Sequence, residues 1–156
     1  EKRYANEYVG LNNRMTDIHA SIGRVQLGKL AGWTKIRQDN AAFLSQNITE
    51  AVTPTVPEGY VHVYHQYTIR VEGATGEERD RFVTALKEEH QVGSGVYYPI
   101  PNHRLPSLAP YAPGLELPNT EKVAAECVSL PVHPSLSQAD LERIAEAVNK
   151  AAKAGA

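Results

Sequence analysis

Asn12, Asn13 and Arg14 put two amides and a permanently charged guanidinium immediately before Thr16, where a helical pattern begins. A threonine hydroxyl in that place caps a helix by accepting a backbone N–H two or three residues on. The free N–H groups of a helix start, its positive dipole end and a neighbouring Arg together suit a phosphate or a carboxylate. Asp17 in the first turn fits the same dipole but weakens the place for an anion. The plainer reading is a capped helix with a solvated Arg.

A second collection of polar groups stands among prolines. Tyr97, Tyr98, His103 and Arg104 surround Pro99 to Pro106, and His133 lies between Pro131 and Pro134. Fixed φ angles hold such groups in place at low entropic cost, whether they serve a site or are ordinary loop residues. The six histidines do not make a metal site. His62 and His65 are an odd number apart and point to opposite faces of a strand, His19 has no ligand partner at helical spacing, and Cys127 stands alone. There is no G-x-S-x-G elbow and no G-x-x-x-x-G-K-[ST] phosphate loop. Gly93-Ser94-Gly95 lies inside an extended stretch, where glycine marks a bulge or a close backbone approach. No complete catalytic set emerges.

These groups need elements to position them. Ile18, Ile22 and Val25, then Leu27, Leu30, Trp33 and Ile36, then Ala41, Leu44 and Ile48 recur at helical spacing, which predicts one long helix over 16–48, bent where Gly28 and Gly32 lower propensity. Gly23, Gly28 and Gly32 leave one flank small enough for close packing. Val61 to Val71 reads as a strand with Val63, Tyr67, Ile69 and Val71 on its apolar face beside His65. Thr75 with Glu78 is a capping box for a helix ending near His90, with Phe82, Val83 and Leu86 inward. Gln91 to Tyr98 reads as a second strand leading into a proline-punctuated loop. Thr120 opens a short helix carrying Val123, Ala124, Cys127 and Val128. Ser129 to Leu136 is briefly extended, and Ser137 with Asp140 caps a last helix with Leu141, Ile144, Ala145 and Val148 inward. The order predicts an α+β domain: a long N-terminal helix, then a 60–150 core whose small, mainly antiparallel sheet is covered by helices on one side.

Composition narrows the function classes. The 156 residues suit one domain with a real core, and 42% hydrophobic with 22% charged residues reads as soluble and globular. A net charge of -2 with scattered Lys and Arg offers no stripe for nucleic acid. No apolar run approaches a membrane span. The single cysteine suits a reducing cytoplasm, and no signal peptide precedes the first element. Glu1 opens directly onto the charged, tyrosine-bearing EKRYANEYVG, which suggests a fragment.

Taken together, four stretches resemble the C-terminal part of one family. GLNNRMTDIHASIGRVQLGKL resembles its G-x-N-x-R-M segment with the following A-A-I-G-x-x-Q-L-x-K-L, and HVYHQYTIRV its central small-domain strand. VYYPIPNH resembles its Y-P-x-P-x-H turn, and SLPVHPSLSQADLERIAEAV its S-L-P-x-x-P-x-L-S ending. The family is the DegT/DnrJ/EryC1/StrS group of sugar aminotransferases. The chain departs from its pattern at Asn13, where an aromatic residue is common, and at Ser21, where Ala is usual.

The resemblance implies the small C-terminal domain (residues 1–156) of an enzyme of the aspartate aminotransferase type, fold type I, dependent on pyridoxal phosphate (PLP). Such enzymes transfer an amino group, from a donor such as glutamate, to a nucleotide-linked ketosugar. It implies that residues 1–15 form a cofactor-phosphate arm, with Asn12 reaching the PLP phosphate of the neighbouring subunit in a homodimer and Arg14 serving the same region or the substrate's diphosphate. Tyr98 and His103 would line the sugar-nucleotide side of the cleft. The large PLP-anchoring domain is missing, and Lys29, Lys35, Lys87, Lys122 and Lys150 look solvated, so the chain alone is expected to be inactive, with no catalytic residue of its own. Two rivals stand beside this: a PLP-dependent sugar dehydratase, and a free-standing domain that binds nucleotide sugars or regulates a partner without catalysis.

Overall fold

The computed structural model describes residues 14–154, which fall into two units divided between Gly32 and Trp33. Asn12, and with it nearly all of the expected phosphate arm, lies outside the described residues.

The first helix, α1, is Asp17–Asn47. Thr16 caps its start, the Oγ1 accepting the backbone N–H of His19 at 3.3 Å. In the first unit its apolar residues are turned to solvent, Ile18 being 72% exposed and Val25 59%. In the second unit the same helix buries Asn40, Ala41 and Leu44, followed by Ile48.

That second unit is built on a short antiparallel ribbon. Strand β1 (Tyr67–Arg70) pairs with β2 (Cys127–Leu130) in the register Tyr67 to Leu130 and Thr68 to Ser129. Strand alternation sends Tyr67, Ile69, Val128 and Leu130 to one face, where all are buried. Helix α2 (Gly76–Glu88) and helix α4 (Gln138–Lys153) pack together and complete the core through Phe82, Leu86, Leu141, Ile144 and Val148. Full burial of each large side chain contributes roughly 1.5 to 3 kcal/mol. Both helices begin with the capping boxes expected, Thr75 with Glu78 and Ser137 with Asp140.

Three expectations need correction. The strand foreseen over Val61 to Val71 shrinks to β1, because Tyr64 takes a left-handed φ of 46° and turns the chain. Val63 and His65 are exposed in consequence. The carbonyls before β1 bond to α1 instead of to a strand: Arg37 donates to the carbonyl oxygens of Tyr64 and His65, and Gln38 to that of His62. The second strand, Gln91 to Tyr98, survives as one bridge between Gly95 and Ser129, its ends turned by left-handed Gln91 and Tyr98. Cys127 and Val128 are not helical. Helix α3 is Pro118–Glu126, starting with a proline at its first turn and handing the chain directly to β2.

Two buried charges fix the joint between these pieces. The Glu126 carboxylate accepts from Arg70 at 2.6 Å and from the Gly73 N–H at 2.9 Å. Arg79, 3% exposed, donates to the carbonyl of Ala124 at 3.0 Å. Among the described residues no helix is long and apolar enough to cross a membrane.

Candidate functional site

The face of the ribbon opposite the core is polar. Thr68 and Gln66 on one side, Cys127 and Ser129 on the other, alternate with the buried apolar set and form the floor of a cavity of about 920 Å³. Its walls come from the two neighbouring stretches. The Pro-rich segment supplies Tyr97, Tyr98 and Pro101 to His103, and α3 supplies Leu117, Asn119, Thr120, Val123 and Ala124.

Local chemistry explains the floor. Thr68 and Ser129 are directly paired across the strands and their hydroxyls bond at 2.8 Å, one donating to the other in a half-buried position. Burial pushes the Cys127 thiol up, partly opposed by Arg70, and leaves it a neutral part of the floor.

The tyrosine wall depends on a glycine. A Cβ on Gly95 would come within 3.1 Å of the Tyr97 ring, which is the close approach that the Gly93-Ser94-Gly95 stretch suggested. Tyr98 then takes a φ of 56° and stands 79% exposed at the rim.

His103 lies in the short 3-10 turn Asn102–Arg104, and its side chain is 6% exposed. Its Nε2 is 2.9 Å from Oε1 of Glu121 in the first turn of α3. Arg104 donates to that same oxygen from Nη2 at 2.7 Å and from Nε at 3.1 Å. His103, then Arg104, hold the Glu121 carboxyl down to about 2.

Of the residues picked from the sequence, Tyr97, Tyr98 and His103 come together on this cavity. Arg14 belongs to the first unit, exposed just before α1. Arg104 is tied to Glu121 instead of lining the cavity, and His133 is exposed, its carbonyl taken by the buried amide of Asn40 at 3.1 Å. Sequence reasoning passed over Gln66, Thr68 and Ser129. The alternation that placed Tyr67 and Ile69 inward would have put Gln66 and Thr68 together on the other face.

The ribbon and the helices on its core face are those of an α+β domain of the fold type I aminotransferases. The chain belongs to the DegT/DnrJ/EryC1/StrS aminotransferase family, whose model matches residues 1–149. It is 35% identical over 153 residues to a pleiotropic regulatory protein of Geobacillus stearothermophilus, covering 94% of this chain and 39% of that protein. It is 31% identical over 151 residues to the dTDP-3-amino-3,6-dideoxy-alpha-D-galactopyranose transaminase of Aneurinibacillus thermoaerophilus, covering 96% of this chain and 40% of the transaminase. Among solved structures, NtdA of Bacillus subtilis with bound cofactor PMP superposes with a TM-score of 0.83 at 26% identity, over 98% of this chain and 36% of NtdA. The chain thus spans about two fifths of the length of the curated relatives it matches.

Proposed function

We propose that this chain is the small domain of a PLP-dependent sugar aminotransferase acting on a nucleotide-linked ketosugar. The donor, such as glutamate, gives up its amino group and becomes a 2-oxo acid with an oxygen from water, while the keto oxygen of the sugar leaves as water. The observation that carries this reading is the cavity on the polar face of the ribbon, where Tyr98 and His103 meet Gln66, Asn102 and Asn119. Aromatic surface with a few fixed polar groups suits a nucleotide sugar, and the transaminase relative is named for a dTDP-linked aminosugar.

When bound, PLP supplies the amino-group carrier and the electron sink. The residues here fit its phosphate, not its covalent anchorage. Arg14, exposed just before α1, would hold the phosphate, and Asn12 would join it. Lys35, Lys87, Lys122, Lys150 and Lys153 are each more than half exposed and paired with carboxylates, unlike a desolvated lysine of lowered pKa. Residues 1–15 thus serve as the phosphate arm, α1 as the long connector and 60–150 as the substrate-side core. The solvent-facing Ile18, Ile22 and Val25 serve a homodimer in the cytoplasm.

Calorimetric titration of the chain with dTDP-glucose tests the substrate side. Saturable one-to-one binding that His103→Ala weakens supports it, and no binding overturns it. Incubation with PLP followed by borohydride and mass spectrometry tests the division of labour. No stoichiometric lysine adduct is expected, and one would overturn it.

A second reading is favoured by the regulatory protein among the relatives: a domain that binds nucleotide sugars or regulates a partner without catalysis. Amino transfer from glutamate to a nucleotide ketosugar by the native polypeptide belongs to the first reading and not to the second.

A further inference from the structure

Glu121 does not line the cavity, yet one of its oxygens joins two of the cavity's walls. Oε1 takes the imidazole of His103 and the guanidinium of Arg104, both on the Asn102–Arg104 turn, while Glu121 itself is on α3. A carboxyl gripped by these donors, held at about 2, is ionised at neutral pH. An ionised carboxylate only accepts hydrogen bonds, so the ring nitrogen facing it must donate. A neutral imidazole protonated at Nε2 keeps its lone pair on Nδ1. That nitrogen has no protein partner among the described residues and is not among their buried, unsatisfied side-chain atoms. His103 lines the cavity, so the ring nitrogen that Glu121 does not take is the one left for a ligand there. The floor hydroxyls of Thr68 and Ser129 are already bonded to each other, while His103 is the wall group whose other ring nitrogen is held by a carboxylate outside the cavity.

We propose that Glu121 is a positioning residue that holds the Nε2–H of His103 against its own carboxylate, so that Nδ1 is left to accept a hydrogen bond from a hydroxyl of the nucleotide sugar in the cavity. This rests on the nucleotide-sugar reading above. It explains why a carboxylate outside the cavity spends its bonds on the turn that carries His103, and it separates His103, which meets the ligand, from Glu121, which acts through it.

The test compares the chain with Glu121→Ala and Glu121→Gln, each checked for its fold by circular dichroism. Long-range ¹H–¹⁵N correlation of the imidazole, recorded above neutral pH, reads the tautomer directly. The Nε2–H form is expected in the parent, a mixture in Glu121→Ala and a largely restored Nε2–H form in Glu121→Gln, whose amide oxygen still accepts. A parent ring protonated at Nδ1, or an unchanged ring in Glu121→Ala, overturns the role of Glu121. Affinity for dTDP-glucose should fall about tenfold in Glu121→Ala, as for one lost hydrogen bond, and recover in Glu121→Gln. Equal affinity in all three overturns the proposal. If the parent shows the expected tautomer but does not bind dTDP-glucose, the nucleotide-sugar reading fails. If it binds with the other tautomer, only the role of Glu121 fails.

Discussion

The carboxylate of Glu126, in the last turn of α3, lies 2.6 Å from the guanidinium of Arg70 at the end of β1. The glutamate side chain is 2% exposed and the arginine 30%. Glu126 also accepts from the Gly73 backbone, and its own carbonyl receives the N–H of Val71. One residue therefore fixes where α3 ends, where β2 begins and how β1 leaves the sheet. The cavity floor is laid across that joint.

Glu126→Ala leaves Arg70 and the Gly73 N–H without their acceptor, and should cost roughly 3 kcal/mol, as breaking a mostly buried pair does. Urea unfolding followed by circular dichroism checks it. A loss under about 1 kcal/mol would show that water reaches the joint and replaces the carboxylate.

Asn149 ties the last helix to the end of the first. Its Oδ1 accepts from the N–H groups of Thr49 at 2.8 Å and Glu50 at 3.2 Å, and its Nδ2 donates to the Asn47 carbonyl at 2.8 Å. Asn149→Ala should destabilise the protein by about 2 kcal/mol, since three bonds are lost at a half-buried helix end. Asn149→Asp keeps the acceptor and should cost less. Thermal unfolding of the two variants separates them.

Stability should depend on acid through Glu121. Its carboxyl is lowered from the ordinary 4.5 to about 2 in the folded protein, by His103 first and Arg104 second. A depressed carboxyl contributes stability above its unfolded value, and that contribution fades as pH falls from about 4.5 toward 2. Glu121→Gln should flatten this part of the stability curve, and carbon NMR of the Glu121 carboxyl should show its titration near 2. A midpoint in the ordinary carboxylate range would mean that the three-residue contact does not persist in solution. The carboxylates of the two capping boxes, Glu78 and Asp140, are lowered in the same direction by their own hydroxyl and backbone donors.

What could be read from the sequence was set by local signals. Capping boxes need only residues three apart, so α2 and α4 appeared with their starts in place, and the periodicity from Ile18 to Ile48 gave α1 to within a residue of its end. The strands were overextended because β propensity measures fit to a pleated surface, while strand length depends on a partner far away in the chain. Tyr64 and Tyr98 reverse direction although neither is a residue that favours left-handed φ. Cys127 and Val128 fit the helical period of α3, yet pairing with Tyr67 to Arg70 pulls them into β2. Tyr98 and His103 were found through a motif. Glu121 was not, because its partners lie 17 and 18 positions away and nothing in their spacing announces the contact.

The central question for this protein is whether the polar face of the ribbon takes a nucleotide sugar. The direct measurement is a ¹H–¹⁵N correlation spectrum of the labelled chain during titration with dTDP-glucose. Saturable shifts are expected at residues 66–68, 97–103 and 117–124, with α4 and the outer face of α2 unmoved. Shifts confined to those outer helices, or none at saturating ligand, would contradict the nucleotide-sugar reading.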